Sequence, residues 1–189
     1  PHALATLAYD GRRSDYFRDE LIKALKIVDQ GHIGAWEMVG SWAGAMGQCQ
    51  FMPSSFLNFA EDYNGDGKRD IWSTQSDVFA SIANYLSSSG WKGDEGWGMA
   101  VNLPDNFDKS LTDIKLEKSI SEWNGLGVRT ASGEKIPDVA EKASVIMVGQ
   151  GADARPYIIF NNYKVLLKWN RSRYFATAVG TLANQIKQE

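Results

Sequence analysis

The sequence has little cysteine and little histidine, and this scarcity excludes several kinds of chemistry. Its 189 residues include one cysteine, Cys49, and two histidines, His2 and His32. A lone cysteine cannot form an internal disulfide, and a free cysteine usually packs as a small buried hydrophobic side chain. The two histidines have neither the spacing nor the companions of a zinc site. We therefore expect no zinc chemistry and no cysteine–histidine catalysis.

Long hydrophobic runs and an excess of positive charge are also missing. No apolar run approaches the roughly 20 residues that span a bilayer, and no basic and apolar leader precedes Pro1. The net charge is −3, and basic residues alternate with acidic ones without forming a stripe. We therefore expect no membrane span and no nucleic-acid partner. A chain that is 43% hydrophobic can bury one substantial core at this length, so one domain and a monomer are predicted.

Three segments in the first half of the chain have the spacing and end signals of helices. Ser14 is a candidate cap for the first, and Gly31 follows its end. Pro53 is well placed as a first helical residue, and Ser76 is a candidate cap for a helix that ends before Gly90. The apolar positions of these helices are Phe17, Leu21, Ala24, Leu25 and Val28, then Phe56, Leu57 and Ala60, then Val78, Phe79, Ile82, Ala83 and Leu86.

Helical periodicity then fades, and glycine, proline, asparagine and aspartate become frequent. β-Prone runs at Ser144–Val148 and Tyr157–Phe160 predict a small sheet. After it, Ser172 is a candidate cap for a last helix, which we expect to pack on the first helices. The apolar face of this helix is formed by Phe175, Ala178, Val179, Leu182 and Ile186.

These patterns predict an α+β fold that is mainly α. Residues 1–90 and 163–189 form the predicted helical core, and residues 91–162 form a small α+β subdomain.

Asp62 opens a segment with the ligand spacing of an EF-hand-type calcium loop. Side-chain oxygens stand at loop positions 1, 3, 5 and 9, and Gly67 stands at position 6, where the loop must turn sharply. Position 7 contributes only its backbone carbonyl. The predicted ligands are Asp62, Asn64, Asp66, Lys68 and Asp70. The alternative is a surface turn rich in aspartate and asparagine.

Position 12 of this loop departs from the EF-hand pattern. Ser73 stands there in place of the usual bidentate glutamate. Asp77, at the start of the next helix, can return to supply the last ligand, or it can simply stabilise the helix N-terminus. Without the closing glutamate, we expect a structural calcium ion rather than a calcium switch.

A segment rich in glycine and alanine runs from Gly40 to Ser55. Small residues let the backbone approach another segment or a ligand closely. The segment matches no phosphate-binding loop, because it lacks the Gly-Lys-Ser/Thr ending. A tight turn between helices and a binding site both remain open on these residues alone.

Several separated motifs, in order, resemble the lytic murein transglycosylase B family, glycoside hydrolase family 103. They are Ser41-x-Ala-Gly-Ala-Met-Gly-x-x-Gln-Phe-Met-Pro-Ser-Ser, Asp62-x-Asn-Gly-Asp-Gly, Asp70-Ile-Trp, Ala83-Asn-Tyr-Leu, Gly90-Trp, Lys168-Trp-Asn-Arg-Ser and Tyr174-Phe-Ala-x-Ala-Val. The resemblance covers nearly the whole chain. It implies a lysozyme-like fold with an EF-hand-type calcium site, and a place in the periplasm or cell envelope of a Gram-negative bacterium, with an outer-membrane anchor in a missing N-terminus as one option.

The resemblance also implies an activity on peptidoglycan. The β-1,4 bond between N-acetylmuramic acid and N-acetylglucosamine is cleaved without water, and a 1,6-anhydromuramoyl end is formed. One carboxylic acid protonates the glycosidic oxygen and then takes the proton of the C6 hydroxyl, which attacks C1. The substrate-binding residues implied by the family motifs are Ser41, Gln50, Tyr85, Trp169, Asn170 and Phe175.

The family's catalytic glutamate is expected upstream of Pro1, so we expect no catalytic residue within this chain and a domain that lacks its N-terminal part. Glu20 and Glu37 are the nearest carboxylates, and both are expected to face solvent. A catalytically inactive peptidoglycan-binding module or fragment is therefore the main alternative to an enzyme. A calcium-responsive interaction protein is a third hypothesis, which Ser73 disfavours.

Overall fold

The computed structural model of the protein describes residues 1–11 and 13–187. The chain divides into two compact units, Pro1–Ser88 and Ser89–Glu189. The first unit contains the helices α1 (His2–Tyr9), α2 (Ser14–Asp29), α3 (Pro53–Phe59) and α4 (Gln75–Ser88). Helix α3 begins at Pro53, as predicted, because a proline at the first helical position loses no hydrogen bond.

Helix α2 buries a face that includes a carboxylate. Glu20, Ala24 and Ile27 lie at helical spacing and are buried, whereas Leu25 is exposed. Glu20 Oε2 accepts a hydrogen bond of 2.8 Å from the backbone N–H of Ser54, in the first turn of α3. The expectation that Glu20 faces solvent is therefore wrong. The first turn of a helix has unpaired N–H groups, and a negative charge beside them is favourable.

The three predicted serine caps have different outcomes. Ser14 is the first residue of α2, and the cap position is held by Arg13 in the left-handed region at φ 60°. Ser76 lies inside α4, because that helix already begins at Gln75. The prediction for Ser172 is confirmed, since its Oγ accepts the N–H three residues later at 3.3 Å.

The second unit contains a four-stranded antiparallel sheet in the order β2-β1-β4-β3. Its strands are β1 (Gly98–Asn102), β2 (Arg129–Thr130), β3 (Ser144–Val148) and β4 (Arg155–Ile159). The prediction of Ser144–Val148 is confirmed. The other predicted strand overlaps β4, which begins two residues earlier than its β-prone run. The edge pair of β1 with β2 was not predicted, because these short segments have no alternating pattern.

Helices α5 (Ile120–Gly125), α6 (Asn161–Trp169) and α7 (Arg173–Lys187) complete the second unit. The fully buried Trp123 of α5 donates its indole N–H to the carbonyl oxygen of Ala143 at 2.9 Å. Helix α6 contacts β4, and α7 contacts β3 and α6. The described part of the predicted segment 163–189, up to residue 187, thus falls in the same compact unit as the sheet, whereas the sequence grouped this segment with the first helices. That the whole chain forms one domain stays a prediction.

The predicted apolar face of α7 is largely exposed at Val179, Leu182 and Ile186, and this differs from the expectation of a packed face. Ala176 is buried instead, and a Cβ atom added at Gly180 would lie 2.5 Å from the indole of Trp97. Small residues on this side of α7 allow the helix to approach the large indole ring closely. The side with Ala176 and Gly180 is therefore the packed one, in place of the side with the larger apolar residues.

None of the helices in the described residues is both long enough and apolar enough to cross a membrane.

Candidate functional site

The glycine-rich segment folds into a compact turn in the first unit. The backbone N–H of Ser41 donates to the carbonyl oxygen of Ala45 at 2.7 Å, and Met46 and Phe51 exchange backbone hydrogen bonds of 2.8 and 3.1 Å. A Cβ atom added at Gly40 would lie 2.3 Å from the carbonyl oxygen of Ala45, so this position accepts no side chain. The small residues therefore serve a close approach of backbone to backbone.

Ser41 and Gln50, two of the predicted substrate-binding residues, line one groove of about 530 Å³. Gln50 has a left-handed backbone at φ 50°, which is uncommon for a residue with a side chain. Its Nε2 donates to the carbonyl oxygen of Gly47 at 2.9 Å. The Ser41 hydroxyl oxygen accepts the N–H of Ala45 at 3.2 Å, so the turn fixes the directions of both polar side chains.

Three further side chains of this groove, Glu37, Gln48 and Trp72, were not predicted as part of the site. The indole N–H of Trp72 donates to the carbonyl oxygen of Val39 at 2.8 Å, and Gln48 Nε2 donates to the carbonyl oxygen of Trp72 at 2.9 Å. Glu37 is exposed, as expected, and its Oε2 accepts the N–H of Gly34 at 3.3 Å. Trp72 belongs to the Asp70-Ile-Trp motif, which was the available signal for it, whereas Gln48 stands at an unspecified position of the glycine-rich motif.

A second cavity of about 280 Å³ also reaches Ser41, and it is lined by the start of α1. Trp36 lines it and is 89% exposed, with its ring edge-to-face against His2 at 6.1 Å between centroids. Ser41 thus lies where two concave surfaces of the first unit meet.

The remaining substrate-binding predictions fall in two places. Tyr85 is half-buried on α4, and its ring lies 5.7 Å from Phe51 and 4.9 Å from Phe59, between centroids. Trp169, Asn170 and Phe175 lie together in the second unit, where α6 ends and α7 begins. There Asn170 is exposed, and its Oδ1 accepts the N–H of Ser172 at 3.0 Å.

The predicted calcium loop is wrapped around Asp62. Its carboxylate accepts the backbone N–H groups of Gly65 at 2.8 Å, Asp66 at 3.1 Å and Gly67 at 2.8 Å. Both glycines have positive φ, which lets the chain fold back on the carboxylate. Asp66 in turn accepts the N–H of Lys68 at 2.8 Å. These side chains hold the loop closed through backbone amides.

The side chain of Asp77, at the start of α4, contacts the backbone of the loop, which is one of the two options that the sequence left open. It is fully buried, and its two oxygens accept the N–H groups of Tyr63 at 3.0 Å and Asp70 at 2.9 Å. Burial raises the pKa of Asp70, but hydrogen bonds from Ser73 and its neighbours outweigh this and bring that pKa below its ordinary value. The Asp70 carboxylate therefore holds the turn of Trp72, Ser73 and Thr74 that precedes α4.

Across residues 1–11 and 13–187, no three or more histidine, cysteine, aspartate or glutamate side chains are grouped so as to hold a metal ion. A cation in the loop would therefore need the amide oxygen of Asn64 and the carbonyl oxygen of Lys68 in addition to carboxylates.

Hydroxyl, amide and indole groups that line an open groove have the chemistry of a carbohydrate site, because sugars offer hydroxyl groups for hydrogen bonds and apolar ring faces for aromatic contacts. The chain belongs to the transglycosylase SLT domain family, which it matches over residues 1–184. It is 32% identical over 190 residues to the membrane-bound lytic murein transglycosylase B of Escherichia coli strain K12, covering 97% of this chain and 50% of that protein.

Solved structures of lytic transglycosylases share the fold. SltB3 from Pseudomonas aeruginosa in complex with NAG-anhNAM-pentapeptide has a TM-score of 0.93 and 44% identity, covering 98% of this chain and 50% of that one. Slt35 from Escherichia coli in complex with calcium has a TM-score of 0.82 and 29% identity, covering 98% of this chain and 58% of that one. The predicted lysozyme-like α+β fold is confirmed. The chain spans about half the length of the first relatives it matches.

Proposed function

We propose that the protein is part of a lytic transglycosylase that cleaves the β-1,4 bond between N-acetylmuramic acid and N-acetylglucosamine and leaves a 1,6-anhydromuramoyl end. The observation that carries this proposal is the family match over residues 1–184, together with the groove in which Ser41 and Gln50 meet. SltB3 has been solved with NAG-anhNAM-pentapeptide and with NAG-NAM-pentapeptide. This supports a glycan strand that carries peptide stems as the substrate.

Ser41 and Gln50 are the proposed polar contacts to the sugar in the first unit. The Ser41 oxygen already accepts the N–H of Ala45, so its own proton is available to an acceptor such as an acetamido carbonyl. Gln50 uses one amide N–H within the turn, which leaves its second N–H and its oxygen for the sugar. Tyr85, Trp169, Asn170 and Phe175 are proposed as the further substrate contacts of the family.

The proposed acid is a glutamate other than Glu20 and Glu37. Glu20 is buried and bonded to the N–H of Ser54, so it has no access to a glycosidic oxygen. Glu37 lines the groove, but its carboxylate is exposed to solvent and accepts the N–H of Gly34 at 3.3 Å. The acid first protonates the leaving oxygen and then receives the proton of the C6 hydroxyl as that oxygen closes the anhydro ring on C1.

The test is incubation of the full-length protein, including the segment that carries the proposed acid, with purified sacculi, followed by mass spectrometry of the released muropeptides. Products that end in 1,6-anhydromuramic acid, one water lighter than hydrolysis products, are expected. Retention of the protein by sacculi without new anhydro ends would instead support the peptidoglycan-binding alternative.

We also propose that Asp62, Asn64, Asp66, Lys68, Asp70 and Asp77 form a structural calcium site. The calcium complex of Slt35 and the spacing of oxygen donors in the loop support it. A bound cation would be held by a loop that is already closed around Asp62, so we expect it to stabilise the fold rather than switch it.

The envelope of a Gram-negative bacterium is the proposed location. Peptidoglycan lies there, and the E. coli relative is a membrane-bound lytic transglycosylase. Detection of the protein in the envelope fraction of fractionated cells of its source would test this.

A further inference from the structure

A groove on the second unit concentrates positive charge in a protein whose net charge is −3. Its lining includes four cationic side chains and a carboxylate, namely Lys115, Lys164, Lys168, Arg171 and Glu117, and its volume is about 770 Å³. A concave surface lined mainly by one sign of charge focuses the electrostatic field on a ligand of the opposite sign. We call these five residues, with Ile114 and Leu167, the basic groove.

The walls of the basic groove are well anchored. Helix α6 supplies one wall with its two lysines and Leu167. Ile114, Lys115 and Glu117 form the opposite wall. This wall is fixed to β3 by Ser144, whose Oγ donates to the carbonyl oxygen of Ile114 at 3.0 Å. Next to it, Lys118 and Ala143 exchange backbone hydrogen bonds of 3.0 and 2.9 Å. The cations therefore stand on a preformed surface, which lowers the entropic cost of binding.

Two of the four cations already have protein partners. Lys164 forms an ion pair with Glu117, and its hydrogen bond holds the pKa of Glu117 below the ordinary value, so this carboxylate stays ionised. Lys168 donates to a backbone carbonyl oxygen at 2.7 Å. The side chains of Lys115 and Arg171 make no hydrogen bond or ion pair with the part of the chain that the structure describes. Two unneutralised cations are thus available to a ligand.

We propose that the basic groove binds a carboxylate of the peptide stem on the glycan strand, with Arg171 and Lys115 as its main contacts. This inference rests on the proposed function, which supplies a glycan strand with peptide stems. Sugar hydroxyl and acetamido groups are uncharged, whereas a pentapeptide stem ends in a carboxylate. A guanidinium group matches a carboxylate with two parallel hydrogen bonds, and the ammonium group of a lysine adds a second positive charge.

The experiment compares two soluble probes by calorimetric titration. One is NAG-NAM-pentapeptide, and the other is the same compound after chemical amidation of its carboxyl groups. We expect each of the two cations to favour the carboxylate form by roughly 1.4- to fivefold in affinity, the range for exposed charge pairs. The variant Lys115→Gln with Arg171→Gln is expected to lose this preference. Lys135→Gln, an exposed lysine outside the groove, is the control and should keep it.

Equal affinity of the parent protein for both probes would overturn the proposal, and so would an unchanged preference in the double variant. Matching thermal melts of the three proteins exclude unfolding as the cause. The preference should also shrink as salt screens the charges. A protein that distinguishes the probes yet forms no anhydro ends from sacculi would contradict the proposed function and leave the groove assignment standing.

Discussion

The carboxylate of Glu20 on α2 accepts a hydrogen bond of 2.8 Å from the backbone N–H of Ser54, and Glu20 is only 2% exposed. This contact joins α2 to the helix that follows the glycine-rich turn, so it helps to place the groove of Ser41 and Gln50. Glu20→Ala should lower the free energy of unfolding by about 1.5–3 kcal/mol, because a buried charged acceptor is lost and an N–H group is left unpaired. Chemical denaturation measures this.

Glu20→Gln is the matched variant for that measurement. Its amide oxygen can still accept the N–H of Ser54, so a smaller loss than for Glu20→Ala is expected. Equal losses in the two variants would show that the hydrogen bond is not what stabilises this contact.

The glycine-rich turn should not tolerate a methyl group at Gly47. Its φ is +60°, and an added Cβ would lie 2.6 Å from the carbonyl oxygen of Ile71. Gly47→Ala should therefore lower the free energy of unfolding by about 1–3 kcal/mol and weaken binding to sacculi. Gly93→Ala is the control, because nothing lies within 4 Å of the added atom, and a melting temperature close to that of the parent is expected there.

Cys49 should resist alkylation while the protein is folded. It is buried, and burial raises the pKa of its thiol to about 11 from the model-compound value of 9.0. At pH 8 the thiolate is then roughly one part in a thousand of the native population. Iodoacetamide labelling, followed by mass spectrometry, should begin only when denaturant unfolds the chain. Rapid labelling without denaturant would contradict the burial of this side chain.

The same pKa shift has a consequence for stability at alkaline pH. The folded state disfavours the thiolate of Cys49, so its contribution to stability is complete below pH 9 and is lost as the pH rises toward about 11. Cys49→Ala should show a smaller fall in melting temperature across that interval than the parent protein does.

Calcium should raise the melting temperature of the parent protein. A ligand that binds only the folded state adds about 2.7 kcal/mol at a concentration 100-fold above its dissociation constant. Asp66→Ala should abolish this increment and lower stability slightly without calcium, because Asp66 also accepts the N–H of Lys68. Asp138→Ala, an exposed aspartate outside the loop, should keep the calcium response. Equal melting temperatures of the parent with calcium and with a chelator would refute the site.

Glu37→Gln distinguishes a groove residue from the catalytic acid. Removal of a general acid costs roughly 10²–10⁴-fold in rate. We expect far less for this variant, because Glu37 is exposed and the acid is proposed to lie elsewhere. The rate of release of anhydro muropeptides from sacculi measures the effect, and a loss of a hundredfold or more would make Glu37 the acid.

Much of the local structure could be predicted from the sequence. The glycine-rich motif, the spacing from Asp62 to Asp70 and the β-prone run at Ser144–Val148 are short-range signals, and the family and β3 follow from them. Proline at position 53 similarly indicated the start of α3. Such signals depend on residues close together in the chain, so no tertiary contact was needed to interpret them.

Other features were decided only by the tertiary structure. Glu20 looked like a surface charge in the pattern of α2, and its burial depends on the N–H of Ser54, which lies far along the chain. The basic groove likewise combines Lys115 with Arg171, which are distant in sequence and share no motif. The sequence by itself determined the family and the polar residues of the turn. The partners of its charged side chains were decided by packing, because a charge is stabilised by whatever group the fold places beside it.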